Sequence, residues 1–219
     1  MNYALDVLLI ILLFSTYGII HSILASIRVK ELFKKHFGDL IAFYRLLYNV
    51  IGIVLLYIIW EFSPKPHLII YDLSNPYDLL ILIPQFLALS GIIWTFKYIC
   101  FKEFLGLSQI QRFMEKRYDN ELDEQLTLRI EGPYRFSRHP VYFFSIIFLL
   151  FRPAMDLFYL TFFFCIVIYF YFGSVYEEKK LFKYFGEEYI QYKKSVPRIF
   201  PVKFFKPFSQ EKLIKPASD

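Results

Sequence analysis

Long apolar segments separated by short charged ones dominate the sequence. Three of them, Tyr3 to Ala25, Leu40 to Trp60 and Leu79 to Phe101, are each about 20 residues or longer. A helix rises about 1.5 Å per residue, so each segment is long enough to cross about 30 Å of hydrocarbon. The pattern therefore predicts three membrane-spanning helices in residues 1–101.

A further apolar stretch, Val141 to Tyr176, is interrupted once by Arg152 and Pro153. Proline breaks helices, which indicates a helical hairpin rather than one very long helix. Its arms are unequal, at about 12 and about 23 residues, or roughly 18 Å and 35 Å. Either the first arm starts below headgroup level, which we favour, or the second arm bends at Gly173. The expected fold is an all-α integral membrane protein with five transmembrane helices, the last two forming this hairpin.

The charged segments divide the chain into three parts of one bundle. Residues 1–101 form the membrane part with three helices, and residues 102–138 form a polar cytoplasmic insertion. That insertion carries the acidic run DNELDE, which favours a solvated loop or an interfacial helix. Residues 139–219 combine the hairpin with a basic, amphiphilic C-terminal segment. Its sequence FPVKFFKPF is typical of a segment that lies on the membrane surface.

Composition supports this architecture, and the charges set its orientation. Aromatic residues make up 21% of the chain, with 27 Phe and 18 Tyr, which is more than a soluble domain of this size can bury. The linker after the first apolar segment carries several basic residues, whereas the linker after the second carries only Lys65. The positive-inside rule places the first linker, the C-terminus and both ends of the hairpin in the cytoplasm and the N-terminus outside. We expect a prokaryotic inner (plasma) membrane.

The net charge of +5 is compatible in principle with nucleic-acid binding. We reject that interpretation because the basic residues flank apolar spans, where they meet lipid headgroups. Cys100 and Cys165 lie in apolar stretches without the spacing of a metal or redox site. The sequence therefore predicts the lipid bilayer as a partner, no nucleic acid and no metal, and it leaves the oligomeric state open.

The hairpin should bring together polar residues that are distant in sequence. His139 begins its first arm beside Arg138, and Glu177 and Glu178 end its second arm. Ionisable groups at membrane depth are costly and usually face a cavity or one another. The same leaflet should also collect polar residues of the first two helices: His21, Arg45 and Asn49.

The side-chain types in this cluster indicate the chemistry of its ligand. Cations and imidazole donors suit a carboxylate or phosphate, carboxylates suit ribose hydroxyls or an ammonium, and aromatic rings suit a purine or a sulfonium. S-adenosyl-L-methionine carries a carboxylate, an ammonium, a ribose, a purine and a sulfonium in one molecule. A nucleotide or a lipid headgroup fits several of these features, and a purely structural ion-pair cluster accounts for the charges alone.

Two stretches, GPYRFSRHPVYF and EEKKLFKYFGEEYIQYKKSVPRIFP, resemble the isoprenylcysteine carboxyl methyltransferase superfamily of integral-membrane methyltransferases. The shared pattern is R-H-P-x-Y on one arm, E-E-x-x-L after the next, then F-G-x-x-Y-x-x-Y and V-P. HSILASIRVKELF, YRLLYNV and FKEFLGLSQ are similar to the branch containing bacterial methanethiol S-methyltransferases and membrane proteins associated with nitrite and nitric oxide reduction. The resemblance implies that S-adenosyl-L-methionine binds at the cytoplasmic side of the hairpin.

Individual residues receive expected roles on this basis. The expected cofactor contacts are Tyr134, Arg138, His139, Pro140, Val141, Tyr142, Glu177 and Glu178. Asn49 and Arg198 are candidate substrate contacts. His21 or His139 is a candidate base, and Arg45 is a candidate partner of a thiolate, which is the reactive form of a thiol. The roles of His21 and Arg45 are hypotheses from the residues and not matches to the family motif.

The predicted function is methyl transfer from S-adenosyl-L-methionine to a small thiol or another lipophilic nucleophile. Two positions depart from the family pattern: Phe144 stands where a glycine is frequent, and Gly173 stands where carboxyl methyltransferases tend to carry an arginine. The second departure weakens a prenylcysteine carboxylate as substrate, while a phospholipid amine is a further alternative. A non-catalytic membrane assembly or regulatory protein with the same fold is another. A transporter is disfavoured because the polar residues gather at one face.

Overall fold

The computed structural model describes residues 2–117, 127–202 and 207–208, which are mostly helical. The helices are α1 Tyr3–Ala25, α2 Ile27–Phe37, α3 Tyr44–Phe62, α4 Tyr77–Leu80, α5 Leu82–Phe96, α6 Phe101–Leu105, α7 Leu107–Met114, α8 Pro140–Leu150, α9 Leu157–Phe185 and α10 Glu187–Ser195. Two 3₁₀ helices, Gly38–Phe43 and Gly132–Arg135, and two strands, β1 Ile69–Asp72 and β2 Ala154–Asp156, accompany them. The acidic run DNELDE lies outside the described residues.

Within the described residues, four helical segments are long and apolar enough to cross a membrane. They are Tyr3–Ala25, Ile27–Phe62, Tyr77–Phe96 and Leu157–Phe185. Large apolar side chains point outward from them: Ile53 is 70% exposed and Leu87 is 66% exposed. Such apolar outer faces fit lipid tails and not water. The length and hydropathy of these helices therefore support the prediction of an integral membrane protein.

The fifth predicted span is shorter than the bilayer is thick. Helix α8 is apolar but has only 11 residues, which corresponds to about 16 Å of helix against about 30 Å of hydrocarbon. The predicted count of five transmembrane helices is therefore not confirmed. Helix α8 is nonetheless close to the length of about 12 residues that the sequence predicted for the first arm of the hairpin.

Serine and glycine set the helix boundaries near the N-terminus. The Ser26 hydroxyl donates to the carbonyl of Ile23 over 2.6 Å and accepts from a backbone N–H in the first turn of α2, so it ends α1 and caps α2. Helix α2 ends at Gly38, whose φ of +55° favours glycine. A 3₁₀ segment follows, so the α-helix predicted from Leu40 begins at Tyr44.

The structure also contains a small sheet that the all-α prediction missed. Strands β1 and β2 pair antiparallel, with Tyr71 opposite Met155. Pro153, at the predicted interruption, accepts a hydrogen bond from the N–H of Leu73 over 3.0 Å. Because proline cannot continue the helix, the backbone groups freed at this point find partners in β1.

The first part of the polar insertion is helical. Helix α6 ends at Gly106, whose φ is +93°, and α7 follows directly. Arg112 of α7 forms an ion pair with Glu103 of α6. The expectation of a solvated loop or an interfacial helix rests on the acidic run, which lies outside the described residues, and it stays a prediction.

The described residues divide into two compact units, each assembled from separate parts of the chain. One unit takes its residues from Met1–Leu68, Cys100–Gln125 and Leu157–Cys165. The other takes them from Ile69–Ile99, Leu126–Asp156 and Ile166–Asp219. We refer to them as the first and second units. The sequential division into residues 1–101, 102–138 and 139–219 stays a prediction.

The C-terminal segment returns to the protein in the second unit. Phe208 belongs to a buried cluster whose other members are Ile130, Tyr189, Tyr192 and Val196. Its N–H donates to the carbonyl of Arg135 over 3.1 Å, and its own carbonyl accepts from Nε of Arg135 over 2.7 Å. Burial in this cluster stabilises the aromatic side chain of Phe208, and the position of FPVKFFKPF on the membrane surface stays a prediction. Residues 203–206 lie outside the described ranges.

Helices α5 and α8 of the second unit meet at a glycine. A Cβ atom added at Gly91 would lie 2.3 Å from the ring of Phe144, so the ring occupies the space that a side chain would take. The amide of Gln85 adds a hydrogen bond to the carbonyl of Phe148 over 3.2 Å. Phe144, which departs from the family pattern, is thus accommodated by a contact between these two helices.

This contact predicts that Gly91→Ala destabilises the protein. We expect a loss of about 1–3 kcal/mol, because the methyl group overpacks the interface. Thermal unfolding of the detergent-purified protein measures the effect. The double variant Gly91→Ala/Phe144→Ala should regain part of the loss, and Ser90→Ala at the exposed neighbouring position should have little effect. An unchanged melting temperature in Gly91→Ala would contradict the close contact.

Candidate functional site

The motif before α8 is held in place by backbone hydrogen bonds to the segment after α10. The N–H groups of Arg138 and His139 donate to the carbonyls of Pro197 and Arg198, each over 3.0 Å. The hydroxyl of Ser137 donates to the carbonyl of Ile199 over 2.8 Å. Two motifs about 60 residues apart, R-H-P and V-P-R, therefore lie side by side in the second unit.

Glu178 is the centre of a buried ion cluster. Its side chain is only 4% exposed, and Nη2 of Arg138 lies 2.8 Å from its Oε1. Arg198 reaches both carboxylate oxygens, Oε1 through Nε and Oε2 through Nη2, each over 3.1 Å. A buried carboxylate requires this degree of pairing, because its desolvation is otherwise uncompensated. The sequence placed Glu178 and Arg138 together and did not anticipate Arg198 as their partner.

Arg138 also caps the C-terminal end of α10. Its Nη1 donates to the carbonyls of Lys193 over 2.9 Å and Val196 over 2.6 Å. The last carbonyls of a helix have no partner within the helix, and an arginine is well suited to bind them. With Nε and Nη2 directed at Glu178, most donors of this guanidinium are engaged within the protein. This geometry favours a supporting role for Arg138 at the site.

Glu177 differs from its neighbour because it is half exposed, at 52%. The hydroxyl of Tyr142 donates to its Oε2 over 3.3 Å, and Nδ1 of His139 lies 3.4 Å from the same oxygen. Consecutive helix residues point about 100° apart, so one carboxylate faces the ion cluster and the other faces outward. Glu177 is therefore the acidic group of this site that a ligand can reach.

His139 lies between the two carboxylates and is buried. Its Nε2 is 3.4 Å from Oε1 of Glu178, and its Nδ1 is 3.4 Å from Oε2 of Glu177. Burial lowers the pKa of His139, but hydrogen bonding to Glu177 and Glu178 and their negative charges outweigh this effect. The pKa of His139 is therefore raised above its ordinary value.

Aromatic rings stack in series next to the carboxylate of Glu177. The ring of His139 stacks on Tyr142 with centroids 5.2 Å apart, and Tyr142 stacks on Phe170 of α9 at 4.6 Å. Both pairs are nearly parallel, at 5° and 6°. Sequence analysis missed Phe170. The signal was its spacing of seven residues from Glu177, which places both on one face of a helix.

Three further expected cofactor contacts lie near the start of α8. Pro140 is buried as the first residue of the helix, where its missing N–H costs nothing. Val141 belongs to the first turn, whose N–H groups have no acceptor within the helix. The carbonyl of Tyr134 accepts from the hydroxyl of Tyr192 over 2.7 Å. Burial raises the pKa of Tyr134 to about 12, with Arg129 opposing and Glu177 reinforcing the shift.

His21 belongs to the first unit, where it packs between α1 and α3. Its Nε2 forms a short hydrogen bond with the hydroxyl of Tyr48, and its ring stacks on Tyr17 at 5.4 Å. A Cβ atom at Gly52 would lie 2.9 Å from the imidazole, so this glycine makes room for the ring. Sequence analysis did not anticipate Tyr48 as the partner of His21.

Arg45 and Asn49 donate hydrogen bonds to the same short helix, α6, in the first unit. Nε of Arg45 donates to the carbonyl of Phe104 over 3.2 Å. The amide of Asn49 donates to the carbonyls of Phe104 and Leu105, over 3.1 and 3.3 Å. Both side chains thus cap the C-terminal carbonyls of α6, one helical turn apart on α3. Their spacing of four residues predicted the shared face, and the structure supplies the capping contact.

One of three comparisons with known proteins found a relative, which is named as a methyltransferase. No protein-family model matches it, and no solved structure matches it. The chain is similar to methanethiol S-methyltransferase 1 of Bradyrhizobium diazoefficiens, with 28% identity over 199 residues. The aligned part covers 89% of this chain and 67% of that protein. This similarity supports a relationship to a methyltransferase and agrees with the resemblance seen in the motifs.

The contrast between the two carboxylates predicts losses of stability of different size for the same substitution. Glu178→Gln should destabilise the protein by about 3–5 kcal/mol, because two arginines lose their buried counter-charge. Glu177→Gln should cost less than about 1 kcal/mol, because the side chain is half exposed. Thermal or denaturant unfolding in detergent compares the two variants, and equal losses would contradict the described division of roles.

The raised pKa of His139 predicts a pH-dependent contribution to stability. A pKa that is higher in the folded state stabilises the protein fully below the unfolded value of about 6.5. This stabilisation is lost as the pH rises through the folded value. The difference in melting temperature between wild type and His139→Gln should therefore be largest below about pH 6.5 and should narrow at higher pH. A gap that stays constant or widens would refute the assignment.

Proposed function

We propose that the protein is an S-adenosyl-L-methionine-dependent membrane methyltransferase that acts on a small thiol or another lipophilic nucleophile. The observation that carries the proposal is the half-exposed carboxylate of Glu177 beside the buried imidazole of His139. The similarity to a protein named methanethiol S-methyltransferase supports a small thiol as substrate. When bound, the cofactor supplies an electrophilic methyl group on a sulfonium sulfur. The proposed location is a prokaryotic inner membrane with the site on the cytoplasmic side.

The side chains around Glu177 fit the chemistry of this cofactor. A reachable carboxylate accepts hydrogen bonds from ribose hydroxyls or an ammonium group. The stacked rings of Tyr142 and Phe170 provide an aromatic surface suited to a purine or to a cationic sulfonium. The N–H groups in the first turn of α8 offer donors to an anionic group. Glu177, His139, Tyr142 and Val141 are the proposed cofactor contacts.

The remaining candidates support these contacts. The ion pair of Glu178 and Arg138 and the backbone hydrogen bonds of Arg138 and His139 to Pro197 and Arg198 hold the segment that carries the imidazole. Pro140 starts α8 directly after His139 and directs the first turn toward the site. Tyr134 is tied to Tyr192 through its carbonyl. We propose that these residues orient the groups that bind, while Arg198 is available to a substrate only through donors that Glu178 leaves unused.

A thiol substrate must lose its proton to react, because the thiolate is the nucleophile. His21 is the proposed base, and its hydrogen bond to Tyr48 fixes the orientation of the ring. Arg45, whose Nε caps α6, is the proposed partner of the thiolate. Asn49, which caps the same helix, is the proposed substrate neighbour.

A non-catalytic membrane assembly protein is the second candidate function. The observation that favours it is the ion cluster of Glu178, Arg138 and Arg198, which is satisfied within the protein without any ligand. The half-exposed Glu177 is not explained by that cluster, and for this reason the methyltransferase is preferred. A phospholipid amine and a prenylcysteine carboxylate are alternative methyl acceptors.

Calorimetric binding of S-adenosylhomocysteine to the detergent-purified protein tests the proposal. We expect binding in the micromolar range that is weakened about 10- to 100-fold by Glu177→Ala or His139→Ala, because each removes a hydrogen bond to a charged group. Glu188→Gln is the matched control, since it neutralises an exposed glutamate of α10 outside the site. His21→Gln and Arg45→Ala should keep this affinity but lower turnover of methanethiol.

Different results of this experiment would contradict different parts of the proposal: cofactor binding, its location, or the role of Arg45. A folded wild-type protein that does not bind S-adenosylhomocysteine would favour the assembly protein. Binding that survives in both Glu177→Ala and His139→Ala would move the cofactor away from α8 and α9. Equal losses of affinity and turnover in Arg45→Ala would give that residue a structural role only, as its cap on α6 already allows.

A further inference from the structure

A cleft of about 490 Å³ lies where the end of α9 meets α10, outside the site described above. It is lined by Phe182, Tyr189, Ile190, Lys193 and Lys194, all of which belong to the second unit. The volume falls in the range of about 300–1,000 Å³ typical of pockets that bind small ligands. None of these five side chains is among the expected cofactor contacts.

The floor of the cleft is apolar. Phe182 is 52% exposed, although it is a large aromatic side chain, and Ile190 lies beside it on the lining. The ring of Tyr189 is buried and closes the inner side. The described part of the protein does not cover this apolar surface. Exposed apolar surface of this kind favours contact with another apolar molecule.

The rim of the cleft is positively charged. Ile190, Lys193 and Lys194 stand at positions i, i+3 and i+4 of α10 and therefore share one face of that helix. Both lysines are exposed, and no carboxylate is among the five lining residues. Glu187 lies on the same face one turn earlier, so the acidic and basic ends of this face are separated along α10. The lysine end can attract an anionic group.

The position of the cleft relative to the spans indicates the source of that anion. Phe182 belongs to the last turn of α9, after the charged run of residues 177–180 that ends the apolar part of this helix. At about 1.5 Å per residue, it lies about 9 Å beyond Tyr176, the last residue of the apolar stretch. Phospholipid phosphates lie at this level, with their acyl chains on the apolar side. We propose that the cleft binds an anionic phospholipid of the bilayer, with the phosphate on Lys193 and Lys194 and an acyl chain along Phe182 and Ile190.

The cleft is held in shape by contacts that do not involve the lipid. The carbonyl of Lys193 accepts from Nη1 of Arg138 over 2.9 Å, which fixes the backbone that carries both lysines. A binding surface that is already ordered loses less entropy when a ligand binds. The proposal does not depend on methyltransferase activity, since none of its contacts is used in the proposed transfer.

Native mass spectrometry of the full chain, released from detergent micelles with added dioleoylphosphatidylglycerol, tests the proposal. We expect one retained phosphatidylglycerol in wild type. Lys193→Gln/Lys194→Gln should weaken binding about 30-fold, because each lysine near an anionic surface contributes about fivefold. Ile190→Trp, which narrows the apolar part of the cleft and keeps both lysines, should also weaken retention. The two variants are compared only as folded preparations with melting temperatures near that of wild type.

The matched control is Lys34→Gln/Lys35→Gln, another adjacent lysine pair in the last turn of a helix, in α2. This control should retain phosphatidylglycerol as wild type does, and dioleoylphosphatidylcholine should not be retained. Equal losses in both lysine pairs would show general electrostatic attraction and overturn the site. Unchanged binding in Lys193→Gln/Lys194→Gln or in Ile190→Trp would overturn it as well. Displacement of the lipid by inorganic phosphate would show a simple anion site and exclude the acyl-chain contact.

Discussion

The ion cluster at Glu178 is the interaction on which the second unit depends. A carboxylate that is only 4% exposed loses its hydration, and the loss is tolerated only when cations and hydrogen bonds replace the water. Arg138 and Arg198 supply both, and they come from the segments before α8 and after α10. One buried charge on α9 therefore joins three parts of the chain that are distant in sequence.

The same cluster makes neighbouring residues differ in function. Once Glu178 faces the arginines, helical geometry turns Glu177 toward the open side, where Tyr142 and His139 are its partners. The imidazole of His139 lies between the buried carboxylate of Glu178 and the half-exposed carboxylate of Glu177. Both carboxylates raise the pKa of His139. Of two consecutive glutamates, Glu178 thus forms a structural ion pair and Glu177 is a candidate binding group. The direction of one side chain on the helix fixes the direction of the other.

The first unit follows a similar physical rule with fewer charges. Arg45 and Asn49 meet the carbonyls at the end of α6, which would otherwise lack partners, and Tyr48 meets the imidazole of His21. Glycine at position 52 allows the close approach of that imidazole. Polar side chains of apolar helices are satisfied here by neighbouring backbone or rings, so the candidate catalytic groups are also parts of the helix packing.

The sequence by itself determined the apolar spans, the break at Pro153 and the proximity of His139 to Glu177 and Glu178, because hydrophobic period and proline act locally along the chain. It did not determine which of the two glutamates is buried, that Arg45 caps the end of α6, or that β1 and β2 form a small sheet. Those features depend on partners far away in sequence, such as Arg198, and on backbone groups that only become available once helices end. Charge burial and hydrogen-bond satisfaction are properties of the packed structure, and only the tertiary structure decided them.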